Sequence, residues 1–179
     1  MSTTLLAGIT ACSSSDDKSG EAPAVADTPA VGTSAQPSDK PSEETLPELP
    51  ADKVVAAMAG GGYKCSNDGT YAICSQGQVA VWVLTGDHER PPVVSLHSSG
   101  AAETATAAIS AALPVALQYA HINPRSEITD WFEQQKTKTT GQTTAGDWQV
   151  EWSVEVDTEE PGAHLSLMDK LCKTNCQAE

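Results

Sequence analysis

Aromatic residues make up only 4% of the chain, and none occurs before Tyr63. Whatever core the protein builds is therefore built from residues beyond about position 50. Positive charge is also scarce: ten Lys and Arg stand against 24 Asp and Glu, for a formal net charge of -14. That field repels nucleic-acid phosphates and anionic membrane surfaces, and no Lys/Arg cluster interrupts it. No run of 18 or more apolar residues occurs, so nothing in the chain as given reads as a bilayer span.

Several catalytic signatures are missing as well. There is no G-x-S-x-G for a serine nucleophile. Gly60, Gly61 and Gly62 lack the Lys-Ser/Thr that completes a phosphate loop. No C-x-x-C opens a helix, so a thioredoxin-like centre is not expected. The four histidines, His88, His97, His121 and His164, form neither H-x-x-H nor H-E-x-x-H. His88 between Asp87 and Glu89, and the acidic turn at Asp157, Glu159 and Glu160, are the only conceivable metal spots. Both read as solvated turns, because neither has the ligand spacing of a known site. No metal and no cofactor is expected.

The N-terminus carries a positive signal. Residues 5–11 are a short apolar run ending in small residues, and Cys12 with a Ser-rich stretch follows. Ile9, Thr10, Ala11 and Cys12 resemble the lipobox of a bacterial lipoprotein signal peptide. The resemblance implies that Cys12 becomes the mature N-terminus and carries the lipid, leaving residues 1–11 as a signal-peptide remnant. It covers about the first 15 residues and implies nothing about the later domain. A secretory signal has a basic start and an apolar stretch of about 7–15 residues. No Lys or Arg precedes Cys12, so a start upstream of Met1, or a trimmed signal, is expected.

Residues 12–50 follow the same logic. They are rich in Ser, Pro, Ala, Thr and acids and show no hydrophobic periodicity. Such a segment cannot bury enough apolar area to offset its ordering entropy. It reads as a disordered, extended tether between a lipid anchor and a folded domain.

Composition changes near Ala51. Residues 51–61 predict a helix with Val54, Val55 and Met58 on one face, ended by glycines. Residues 63–65 and 71–74 predict two strands around the Asn67-Asp68-Gly69 turn signal. Residues 78–85, dense in β-branched side chains, predict a strand, and residues 92–97 another whose prolines suggest an edge. Residues 101–121 predict a helix that Pro114 kinks or restarts. Asn123 as cap and Pro124 at the first position open a further helix. Residues 137–146 read as a polar loop. Residues 147–157 alternate, with Trp148, Val150, Trp152, Val154 and Val156 on one face, and residues 164–168 pair with them. The sum is an α+β domain over residues 51–179, with one antiparallel sheet of about five or six strands and helices packed on one face.

Four cysteines fall in this domain: Cys65, Cys74, Cys172 and Cys176. An even number in a small exported domain is a disulfide signature, and the three possible connectivities are open from sequence. Geometry ranks local pairing first. Cys65 and Cys74 would oppose each other on a hairpin with a loop over residues 68–71, within the Cβ separation a disulfide accepts. Cys172 and Cys176 would join in a C-terminal turn. Spacings of C-x8-C and C-x3-C match a zinc site poorly.

Trp82, Trp148 and Trp152 are expected in the core between sheet and helices, unless the Trp148/Trp152 face is an open groove. The function expected from all this is a non-catalytic binding module on the extracytoplasmic face of a cell membrane, lipid-anchored through Cys12. Its partner would be an envelope protein or a small ligand, and not nucleic acid. The alternatives are an envelope hydrolase with an unrecognised site, and an unanchored structural secreted domain.

Overall fold

A computed structural model describes residues 43–156 and 160–177. Cys12, the signal-like segment and the tether up to residue 42 lie outside the described residues, as do Asp157 and Glu159 of the acidic turn. The elements in chain order are α1 (Ala51–Gly60), β1 (Lys64–Asn67), β2 (Tyr71–Gln76), β3 (Val79–Leu84), β4 (Val93–Ser99), α2 (Ala102–Tyr119), α3 (Arg125–Gln135), β5 (Thr140–Ala145), β6 (Trp148–Glu155) and β7 (Gly162–Asp169). The strands form one sheet in the order β1-β2-β3-β4-β7-β6-β5. Every neighbouring pair is antiparallel. The domain is α+β, and its sheet has seven strands.

The seventh strand is β5, in the stretch expected to be a polar loop. Its threonines are β-branched, and it lies at the sheet edge, where a strand needs only one partner and a thin apolar side. A second correction concerns β4. It is no edge: β3 and β7 flank it. Pro91 and Pro92 precede its first ladder residue, Val93, so their missing N–H groups cost the ladder nothing. The Pro92 carbonyl even accepts a bond from the Asp169 N–H at 2.8 Å.

Period-2 burial fixes which side of the sheet is covered. Val81, Leu96, Leu165 and Trp152 are aligned across β3, β4, β7 and β6, and all are buried. On them lie Val54 and Met58 of α1, Ile109, Leu113 and Leu117 of α2, and Ile128 and Phe132 of α3. All three helices thus cover one face. Helix α2 runs unbroken through Pro114 instead of restarting there. Pro114 is exposed, so the carbonyl that loses its partner lies on the water side.

The folded part also begins earlier than the composition change at Ala51. Residues 43–50 have no regular structure but are bonded to the domain. The Glu43 carboxylate accepts the backbone N–H groups of Arg125 (3.0 Å) and Ser126 (2.8 Å) at the start of α3. It therefore does the capping expected of Asn123. Asn123 instead grips the strap, donating to the Leu46 carbonyl at 3.0 Å. Glu48 meets Arg90 at 2.8 Å, and Leu49 packs on the core. The last eight residues assigned to the tether thus belong to the domain.

Cys65 and Cys74 are register partners on β1 and β2 and form a disulfide, with Cα atoms 4.0 Å apart. Cys172 and Cys176 form a second, beyond β7. The first bridge crosses the sheet edge under α1, and Cys74 is fully buried. The chain-entropy cost of a loop this short is about 2–3 kcal/mol. The double variant Cys65→Ser/Cys74→Ser is expected to lose that much stability, read as a lower urea midpoint.

Candidate functional site

The other face of the sheet carries no helix among the described residues. Three rows of side chains cross it by register. One runs Ile73, Trp82, Ser95, Ser166, Glu151, Gln142. The next runs Ala80, His97, His164, Ser153, Thr140. The third includes Tyr71 and Leu84 on one side and Val93, Met168 and Gln149 on the other.

Antiparallel pairing brings four rings into a line. Tyr71 and Trp82 have centroids 5.7 Å apart, and Trp82 and His97 4.8 Å. His97 and His164 are direct register partners and stack at 4.2 Å with planes 20° apart. The Ser95 hydroxyl lies 3.1 Å from His97 Nε2, and Ser95 as a residue is only 5% exposed. His164 Nε2 is buried with no hydrogen-bond partner. A lone buried polar nitrogen is costly, and in natural proteins it calls for an explanation.

Beyond His164 the face turns polar. Glu151 Oε1 accepts the amides of Gln149 (2.7 Å) and Gln142 (3.1 Å). Glu151 and Gln142, with Thr140, Ser153, Ser166 and His164, line a cavity of about 430 Å³. Of the strand residues on this face only Lys64 is cationic, and it sits on β1 at the far edge from Glu151.

Burial holds both histidines neutral. His97 is pushed down to about 4 by desolvation, with the neighbouring His164 adding to the effect. His164 is also lowered by desolvation, against the opposing pull of Glu155 and Glu151. An unfolded histidine takes up its proton near pH 6.5, whereas the folded His97 waits until about pH 4. The stability these groups confer is thus complete above pH 6.5 and declines as pH falls toward 4. After allowance for their partial exposure, the decline is about 1–2 kcal/mol. Urea midpoints at pH 7.5, 6 and 5 should show it, and His97→Gln should flatten the curve.

The structure separates the tryptophans. Trp148 and Trp152 are each 2% exposed, so their face is core and not a groove. Trp82 lies on the opposite, helix-free face, contrary to the expectation that it joins them. His88 lies in a loop beside Arg90 and Asp169, and His121 lies just past the end of α2 with φ +53° and its Nδ1 against the Pro47 carbonyl. Among the described residues no group of three or more His, Cys, Asp or Glu could hold a metal ion. No described helix is long and apolar enough to cross a membrane.

Sequence reasoning missed Tyr71, Ser95, His97, His164 and Glu151 as one surface. A partial signal was present: with Val79, Val81 and Val83 on one side of β3, Trp82 had to face the other. No protein-family model, curated protein or solved structure matches the chain.

Proposed function

We propose that this protein is a lipid-anchored, extracytoplasmic, non-catalytic binding module whose working surface is the helix-free face of its sheet. The anchor reading rests on the lipobox-like residues before Cys12 and on the extended composition that follows. The binding reading rests on one observation: a ring row from Tyr71 to His164, ending at a polar cavity beside a buried nitrogen that lacks a partner. Pockets that recognise ligands combine apolar plates with a few placed polar groups in this way.

A second reading, an envelope hydrolase, draws on the 3.1 Å approach of Ser95 to His97. Two facts weigh against it. A base held near 4 is a weak proton acceptor at neutral pH. And β4 is paired on both sides, so its N–H groups serve ladders and leave no oxyanion hole beside Ser95.

Two measurements test the proposal on the full chain in its own cells. The intact mass from a membrane fraction is expected to begin at Cys12 and to include a diacylglyceryl group. A mass beginning at Met1 without lipid removes the anchor. A photo-reactive phenylalanine analogue placed at Ser166, on the helix-free face, is expected to capture a partner of some kind. The same analogue at Ala111 on α2 is expected to capture none. Equal capture, or none at either position, rejects the binding surface.

A further inference from the structure

The geometry points to a neutral sugar ring as the ligand of the cavity between His164 and Gln142, making this face a subsite for an uncharged oligosaccharide. This inference rests on the binding reading above and adds the chemistry of the ligand.

The rings of His97 and His164 stand on the sheet like adjacent books, nearly parallel. One face of His164 is occupied by His97. His164 also lines the cavity, so the ring face turned there is the unstacked one. The floor is made of short side chains, Ser153 and Ser166, which leave room above the sheet. The carboxylate of Glu151 and the amide of Gln142 stand across from the ring. A flat wall, a small-residue floor and donors and acceptors at the rim suit a ligand with one apolar C–H face and a hydroxylated perimeter. That is the anatomy of a sugar ring. Volume agrees: about 430 Å³ holds one such ring with some water.

Charge narrows the choice. A chain of net charge -14, with Glu151 in the cavity, disfavours an anionic ligand. A cation is disfavoured differently. Glu151 Oε1 already accepts two neutral amides, so its lone pairs are partly engaged without a cation, and one of those amides, that of Gln142, also lines the cavity. The remaining lone pairs suit hydroxyl donors. A wholly apolar ligand would strand these polar groups without water. Burial keeps His164 neutral at pH 7, so the ring face it offers is not a cation.

The test uses the full-length protein in detergent against three immobilised probes. These are neutral oligosaccharides (gluco-, manno-, galacto- and N-acetylglucosamine tetramers), their sulfated forms, and spermine. Saturable binding of at least one neutral tetramer is expected, with the sulfated forms and spermine silent. His164→Ala should weaken that binding about tenfold, the scale of one lost ring plate. Gln142 is exposed on the edge strand, so Gln142→Ala should keep the fold while weakening binding several-fold. Ala111→Ser on α2 should change nothing. Spermine binding alone, binding of sulfated forms alone, or neutral binding indifferent to both cavity variants overturns the inference. A silent panel also overturns it. If the Ser166 cross-link nevertheless forms, the sugar falls and the binding face stands; if that link fails too, both fall.

Discussion

Replacing Arg90 with methionine is expected to destabilise the domain by about 3–5 kcal/mol, and to lower its melting temperature by on the order of 10–20 °C. The reason is where the guanidinium sits. Its side chain is 12% exposed, and Asp169 opposite is 8% exposed. The two meet in a bidentate fork, with Nε to Oδ2 at 2.9 Å and Nη2 to Oδ1 at 2.6 Å. Nη1 reaches Glu48 of the strap at 2.8 Å, and the guanidinium lies 5.0 Å from the Trp148 ring centroid. One side chain thus joins the N-terminal strap, the end of β7 and the start of β6. Methionine would fill similar volume but leave the Asp169 carboxylate buried and unpaired, which is the costly way to break such a pair. Lysine would keep the charge and lose the fork, so Arg90→Lys should fall between.

The same pair makes a pH prediction of known sign. Burial pushes the Asp169 carboxyl up, but the Arg90 bonds and the N–H groups of Leu171 and Cys172 reverse this, and the net result is lowered. Its stabilising effect is present above the ordinary carboxylate range and is lost only as pH falls below it. In Arg90→Met that acid limb should shift upward, because the carboxylate has lost its largest support. A stability loss under about 1 kcal/mol in urea titrations would show that the fork is no keystone.

How much of this was legible in the sequence depends on the range of the interaction that decides each feature. Strand β6 could be read because Trp148, Val150 and Trp152 alternate with polar residues over one short window, a purely local signal. The Cys65–Cys74 register followed from a turn only a few residues long. Strand β5 could not be read, since Thr140–Ala145 becomes a strand only by pairing with β6 and buries little of its own. The central place of β4 was hidden for a similar reason. What makes it central is β7, about 70 residues later, and nothing near Val93 announces that partner. The candidate site is the extreme case. Tyr71, Trp82, His97 and His164 come from four strands, and their alignment needs three strand registers at once. Each alone looked like an ordinary strand or loop residue. Sheet pairing turns them into a surface.

Phe132 tests the other side of that surface. It is the only phenylalanine in the chain and is fully buried under α3. Its ring meets Trp152 edge-on, with centroids 4.9 Å apart and planes at 84°. Trp152 in turn donates its indole N–H to the Lys138 carbonyl at 3.0 Å, which holds the loop from α3 into β5. Phe132→Ala is expected to cost about 3–5 kcal/mol through the cavity it leaves, including the lost ring pair. Phe132→Leu should cost less than half of that, because most of the volume remains. The loss should also be uneven. Helix α3 packs on α2, β5 and β6, so amide exchange should speed up first there and last in β2 and β3. Strands β5 and β6 supply Gln142, Glu151 and Ser153 to the cavity on the opposite face. A side chain that touches no ligand therefore sets the spacing of those that would. Phe132→Ala, assayed at a temperature where it is folded, should weaken neutral-sugar binding without altering its charge preference. If exchange instead quickened uniformly across the sheet, α3 would be shown to hold the whole fold and not one edge of it.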